Sequence, residues 1–315
     1  MKRLCAAFMA SLLCAPAQAQ LAEYGIEGLW TVSTRDDERR ASVSPDGQRI
    51  VWGSADRAGG PGGGDLWQAR REGIRWIDPR PLPLDTPAEE SEPAFSADGR
   101  WLYFVSDRKG GHGGRDLYRA AVRPDGGWGQ VENLGATVNT RGDERSPTPS
   151  ADGAWLLFSS DGHGGAGGLD LFVARVAPAG EGKGAQGAAP VAGSGNLGFA
   201  TPTAVPGANT AADEIDAAWL GGGRVLLFSR GEAAAGTARL YLSACDGTAY
   251  ADAQPWTLSF NVEGGSTHAP VVDASRPADV LVTGSARAPK AGKGDVYRVA
   301  APSLRGRDGC LPPPR

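Results

Sequence analysis

Methionine and histidine are nearly missing from this chain: 315 residues carry two of the first and three of the second. His112, His163 and His268 sit at unrelated offsets, so they supply no repeated metal-ligand set. A nucleophile elbow is also lacking, because Gly264-Gly265-Ser266-Thr267-His268 fails at its last position. No apolar run is long enough to cross a bilayer as a helix. Basic excess is absent too. The formal charge is −4, which disfavours nucleic acid and anionic membrane surfaces as partners. Glycine and proline are abundant instead, at 47 and 23 residues, and this predicts many turns, few helices and an all-β chain.

Residues 1–19 have the layout of a secretory signal peptide: Lys2 and Arg3, an apolar stretch from Leu4 to Leu13, then Ala15-Pro16-Ala17-Gln18-Ala19. Cleavage after Ala19 makes Gln20 the first mature residue. Leu13 before Cys14 fits a lipid-anchored signal less well than a soluble exported one. Losing Lys2 and Arg3 takes the charge from −4 to −6, so basic partners are favoured. Cys5 and Cys14 leave with the signal. Cys245 and Cys310 remain, to form a disulfide in an oxidising compartment or to stay as two thiols. The expected product is periplasmic or secreted, and monomeric.

A long phrase recurs. Glu92-Pro93-Ala94-Phe95-Ser96-Ala97-Asp98-Gly99 leads into Trp101-Leu102-Tyr103-Phe104-Val105 and then Asp116-Leu117-Tyr118. It returns as Ser146 to Gly153, Trp155 to Asp161 and Asp170-Leu171-Phe172, and an earlier copy runs from Ala41 through Asp46-Gly47 to Asp65-Leu66-Trp67. Two degraded copies cover Ala217 to Leu242 and Pro270 to Tyr297. Each Asp-Gly turn joins two short strands, and a third and fourth strand follow. Such a four-stranded sheet buries its faces only by stacking on its neighbours, so the units read as blades of a β-propeller.

The count gives five four-stranded antiparallel blades, with repeats near 38–86, 90–140, 144–176, 214–262 and 267–300. The last copy lacks a fourth strand, so the N-terminal segment Gly28-Leu29-Trp30-Thr31-Val32 is expected to supply it and close the ring. Six blades are the alternative, if strands hide in the N-terminus or in the Gly/Ala/Pro-rich insert at 178–195, which reads as a flexible loop. The propeller then spans 20–301, and 302–315 form a tail.

Asp143-Glu144-x-x-Pro147-x-x-Ser150-x-Asp152-Gly153, followed by Leu156, Phe158, Ser160-Asp161 and Asp170-Leu171-Phe172, resembles the WD-like propeller repeat of TolB. It resembles still more the copies that accompany peptidoglycan-associated outer-membrane proteins. The resemblance implies an envelope protein that docks partners through its loops. TolB's N-terminal domain and a peptidoglycan-binding domain have no counterpart here, so neither role carries over.

Two constellations are candidates for chemistry. Acidic pairs precede each inner strand: Asp37-Glu38, Glu89-Glu90, Asp143-Glu144 and Asp213-Glu214, with Ser266-Thr267 in the fifth copy. They are expected to ring one mouth of the central channel and attract a basic peptide or a cation; the alternative is that they cap turns or pair with Arg39, Arg141 and Arg145. Asp56 with Asp65, Asp107 with Asp116 and Asp161 with Asp170 close Gly-rich loops at a common spacing. They could converge on calcium. Otherwise they accept hydrogen bonds from the loops' own amides.

No other cofactor is indicated. The functional expectation is a scaffold that docks an envelope protein or peptide on its loop face. The alternative is a glycan-binding or glycoside-cleaving propeller, with a channel acid drawn from Glu38, Glu90, Glu144 and Glu214. Recurrent aromatics such as Trp52, Phe158 and Tyr241 are read as packing between blades.

Overall fold

The computed structural model describes residues 24–55, 57–178, 197–232, 237–258, 264–286 and 289–311. The signal segment, Asp56 and all but the first residue of the 178–195 insert lie outside them.

β1 (Tyr24–Ile26) precedes the first complete blade, made of β2 (Glu38–Val43), β3 (Arg49–Ser54), β4 (Asp65–Glu72) and β5 (Arg75–Pro81). The second blade is β6 (Glu90–Phe95), β7 (Trp101–Ser106), β8 (Asp116–Val122) and β9 (Trp128–Asn133). The third has β10 (Glu144–Pro149), β11 (Trp155–Ser160), β12 (Asp170–Pro178), β13 (Leu197–Phe199) and β14 (Thr203–Ala204). The fourth is β15 (Glu214–Leu220), β16 (Val225–Glu232), β17 (Thr237–Cys245) and β18 (Tyr250–Pro255); the fifth begins with β19 (Thr267–Val272), β20 (Asp279–Gly284) and β21 (Asp295–Ala300). Every pairing is antiparallel within its blade, and the described residues contain no helix. The chain is a five-bladed β-propeller.

The hairpin turns explain the repeat. Gly47, Gly99 and Gly153 take φ of 70°, 69° and 70°, which costs glycine nothing. The serine two residues before each aspartate donates to it, Ser44 Oγ to Asp46 Oδ1 at 2.5 Å and Ser150 Oγ to Asp152 Oδ1 at 2.6 Å. The second strands are apolar on both faces because both faces are covered. Leu157 packs toward Phe228 and Tyr250 of the fourth blade, while Leu156 and Phe158 pack toward Tyr103 and Val105 of the second. Five such clusters fill the wedges, and each fully buried aromatic contributes roughly 1.5–3 kcal/mol of transfer free energy.

The N-terminal strand closes the ring on the fifth blade, as expected, but it is an earlier segment than Gly28–Val32. β1 pairs with β21, Tyr24 opposite Val299 and Ile26 opposite Tyr297. Gly28–Val32 instead forms a turn: Gly28 and Trp30 have φ of 56° and 67°, and the amides of Thr31 and Val32 fold back onto the Gly28 carbonyl at 2.8 and 2.7 Å. The apolar run suited a strand, but Val32 is needed in the wedge between the fifth and first blades, where it is wholly buried. The fourth strand of the third blade resumes only after the insert. It is split into β13 and β14, both of which pair with β12.

A second fastening lies at the other terminus. Cys245 and Cys310 are disulfide-bonded, Arg307 donates its amide to the Cys245 carbonyl at 2.8 Å, and Asp308 pairs with Arg224. The tail after the fifth blade is thereby held on the fourth.

Candidate functional site: the channel and its mouth

The segment that enters each inner strand carries a motif wider than the acidic pair. Ser33-Thr34, Asp85-Thr86, Asn139-Thr140 and Asn209-Thr210 each stand four residues ahead of a pair. Asn139 accepts the Leu117 amide at 2.8 Å and donates to the Leu117 carbonyl at 3.0 Å, so it clamps the third strand of the preceding blade; Asn209 does the same to Leu171. The threonine then folds onto the glutamate. The amide and hydroxyl of Thr140 donate to Glu144 at 2.7 and 2.6 Å, with Ser160 Oγ adding a third bond at 2.8 Å.

Glu38, Glu90, Glu144 and Glu214 are all 0 % exposed. Glu90 and Glu214 gain guanidinium partners from Arg108 and Arg230. These four glutamates therefore couple neighbouring segments and offer no carboxylate to a partner, which corrects the expectation that they form a binding face. Burial raises the pKa of two of them, Glu38 and Glu144. It pushes the Glu38 carboxyl up to about 7 against the bonds from Thr34.

The first member of each pair is more open. Asp37 accepts Arg39 at 2.7 Å, and Arg115 reaches Glu89 at 2.9 Å and Asp143 at 3.3 Å. Asp213 accepts the Leu169 amide at 2.9 Å. Three of them, Asp37, Glu89 and Asp213, line a cavity of about 670 Å³ at the channel mouth.

Below that mouth, every inner strand is bulged. The register shifts after Arg39, Ser91, Arg145, Ile215 and His268, and the next residue is left-handed in each case: Arg40, Glu92, Ser146, Asp216 and Ala269, with φ between 35° and 56°. None is glycine, so each costs roughly 1–2 kcal/mol of backbone strain. Bulges re-aim side chains. Here they bring four polar groups from four blades together on the axis.

Arg40, 1 % exposed, donates to Asp216 at 3.3 Å, to the Pro147 carbonyl at 3.0 Å and to Thr148 at 2.7 Å. Ser146 Oγ lies 2.6 Å from Asp216 and 3.1 Å from Glu92, whose other oxygen is held by Arg145. Burial alone would raise the Glu92 carboxyl, but Arg145, Arg40 and the Ser146 amide outweigh it and hold Glu92 below the usual carboxylate range. Burial lowers the His268 imidazole, against the pull of Asp216, and so favours its neutral form. These residues do not stand out in the repeat, because the blades carry different side chains at one equivalent position. The signal was the unmatched residue two places after each Glu of the motif.

The loop aspartates serve amides. Asp65 accepts from Gly62 at 3.0 Å, Asp116 from His112 at 2.6 Å and Asp170 from Gly167 at 3.0 Å. Asp107 and Asp161 turn the other way, to the amides of Glu89 and Asp143 at 2.8 and 2.7 Å. The two ends of a loop thus have separate tasks, and Asp56 lies outside the described residues. Three carboxylates do approach within 4.8 Å of one another: Asp65, Asp85 and Glu90. Arg108 touches Glu90, and burial, with the neighbouring charges of Asp65 and Glu90, pushes the Asp85 carboxyl up to about 8. A proton and a guanidinium can therefore balance the charge that a cation would otherwise balance.

No family model and no curated relative matches the sequence. Solved structures do match. TolB from Acinetobacter baumannii is 12 % identical over 86 % of this chain and 55 % of its own, with a TM-score of 0.47. The endo-arabinase of Bacteroides thetaiotaomicron is 12 % identical over 90 % and 99 %, at 0.50. Hydrazine synthase from Kuenenia stuttgartiensis is 13 % identical over 86 % and 39 %, at 0.51. The chain spans about half the length of the Acinetobacter TolB. These likenesses concern the fold alone.

Proposed function

We propose that the mature chain is a periplasmic binding module that takes a basic peptide segment of an envelope protein at the channel mouth. The observation that carries this reading is the cavity of about 670 Å³ where Asp37, Glu89 and Asp213 stand above a channel floor whose charges are already paired. An open acidic rim attracts and orients a cationic segment, and the paired floor limits how deeply it enters.

Two features favour binding over glycoside cleavage. That reaction needs an accessible carboxylic acid kept protonated; Glu38, raised to about 7, is 0 % exposed, and Glu92, which lines the cavity, is held ionised by Arg145. Sugar sites also rely on aromatic platforms, and no Trp, Tyr or Phe is among the described residues that line the mouth.

A photo-cross-linker at Ala212, beside Asp213 on the cavity wall, tests the reading in envelope extract. One protein should be captured reproducibly through a Lys/Arg-rich segment, and the paired change Glu89→Gln with Asp213→Asn should abolish capture while leaving the thermal midpoint unchanged. Capture that survives those changes, or that occurs through an uncharged segment, defeats the proposal.

A further inference from the structure

A second cavity, of about 620 Å³, opens on the flank between the first and second blades, away from the channel. One wall is the run Arg80-Pro81-Leu82-Pro83-Leu84 leaving β5. The other is the β8–β9 hairpin with Trp128. Gln68 lies between them. It is 6 % exposed, and its side-chain amide hydrogen-bonds no protein group among the described residues. The β4–β5 register sets Gln68 directly opposite Arg80, so both side chains rise from the same face of the sheet.

The equivalent position in the other blades shows what is unusual. Val173 and Leu242 pack there against apolar neighbours. Arg119 is tied to Glu132 at 2.7 Å, and Arg298 to Glu27 and Asp273. The Gln68 side chain has no polar partner among the described residues and faces the groove. Its side-chain polar atoms are not sealed from solvent, so a ligand in the groove can take the place of water on them.

The surrounding charge is positive. Among the described residues, the exposed Arg80 has no ion-pair partner and Arg123 is tied only to the exposed Asp125, at 3.4 Å. Arg49 stacks on Trp128 at 5.0 Å and donates one nitrogen to the Gly126 carbonyl at 2.6 Å, while its other terminal nitrogen is buried without a partner. Pro81, Leu82 and the Trp128 edge offer apolar contact.

We infer that this groove binds a small organic carboxylate, its charged end between the Arg80 guanidinium and the Gln68 amide and its apolar skeleton along Leu82 and Trp128. The volume suits a small molecule, and donors converge at one end of a largely apolar cleft.

Calorimetric titration of the full mature protein with phenylbutyrate and hexanoate, and with their primary amides, tests the assignment. Saturable one-to-one binding of a carboxylate is expected, with its amide weaker by about tenfold or more. Arg80→Ala should weaken carboxylate binding by about tenfold without moving the thermal midpoint, because Arg80 is exposed. Gln68→Leu should weaken it similarly in a folded protein, since Leu242 occupies the matching position of the fourth blade. Three outcomes overturn the inference: no saturable binding of either acid, equal binding of acid and amide, or indifference to both substitutions. Binding of a capped Leu-Glu-Leu peptide by a protein that ignores both acids would replace the small molecule with an acidic segment.

Discussion

Asp85 holds the Leu66 amide at 3.2 Å with a carboxyl group, where Asn139 and Asn209 hold the corresponding amides of Leu117 and Leu171 with a side-chain amide. The substitution matters electrically. An asparagine also donates to the carbonyl of the strand it clamps, whereas Asp85 accepts a second amide, from Leu82 at 3.1 Å, beside the acidic Asp65 and Glu90.

The sign of the resulting pH dependence is fixed. Burial raises the folded-state pKa of Asp85 to about 8, so the folded protein binds this proton more tightly than the unfolded chain. Its contribution is then fully present below the unfolded value, near 3.8, and is lost as pH rises through about 8. Asp85→Asn should therefore leave stability little changed near about pH 4 and raise it by about 2 kcal/mol near about pH 9. Chemical denaturation across that range measures it. A gain that is constant with pH would show that the carboxyl does not titrate between those limits.

Adjacent acids in one pair should respond unequally. Glu144 is buried under three hydrogen bonds, so Glu144→Ala strands the Thr140 amide, the Thr140 hydroxyl and Ser160, and should cost about 2–4 kcal/mol. Asp143 is partly exposed, and Asp143→Ala should cost about 1 kcal/mol or less. Urea midpoints for the two variants separate the roles. Equal losses would mean that the pair works as one unit.

What could be read in advance follows from what repeats. Ser44, Asp46 and Gly47 recur as Ser150, Asp152 and Gly153 because every blade needs the same turn, and the blade count follows from that. Non-recurring features were hidden. Tyr24–Ile26 is a short strand identified only by its partner in β21, and the better strand former, Leu29-Trp30-Thr31-Val32, is bent by the demand for Val32 in the core. The acidic pairs were visible, but sequence could not separate the buried glutamate from the more open acid before it. The axial residues were harder to read for the opposite reason: of Arg40, Glu92, Ser146 and Asp216, which share a position, only Glu92 and Asp216 share a chemistry, and their left-handed backbone carries no glycine to mark it.

The axial cluster predicts a coupled pair of substitutions. Arg40 is the cation that Asp216 faces, and it ties the first blade to Pro147 and Thr148 of the third. Arg40→Met keeps the apolar stem but leaves Asp216 without its guanidinium partner, at a cost of about 3–5 kcal/mol near neutral pH. Adding Asp216→Asn removes the stranded charge directly. The double variant should therefore be more stable than Arg40→Met alone, by about 1–3 kcal/mol of coupling in a double-mutant cycle. Thermal melts of the four proteins decide it. Additive losses would mean that the two residues act independently, and that the ring is held at its centre by packing and bulge geometry alone.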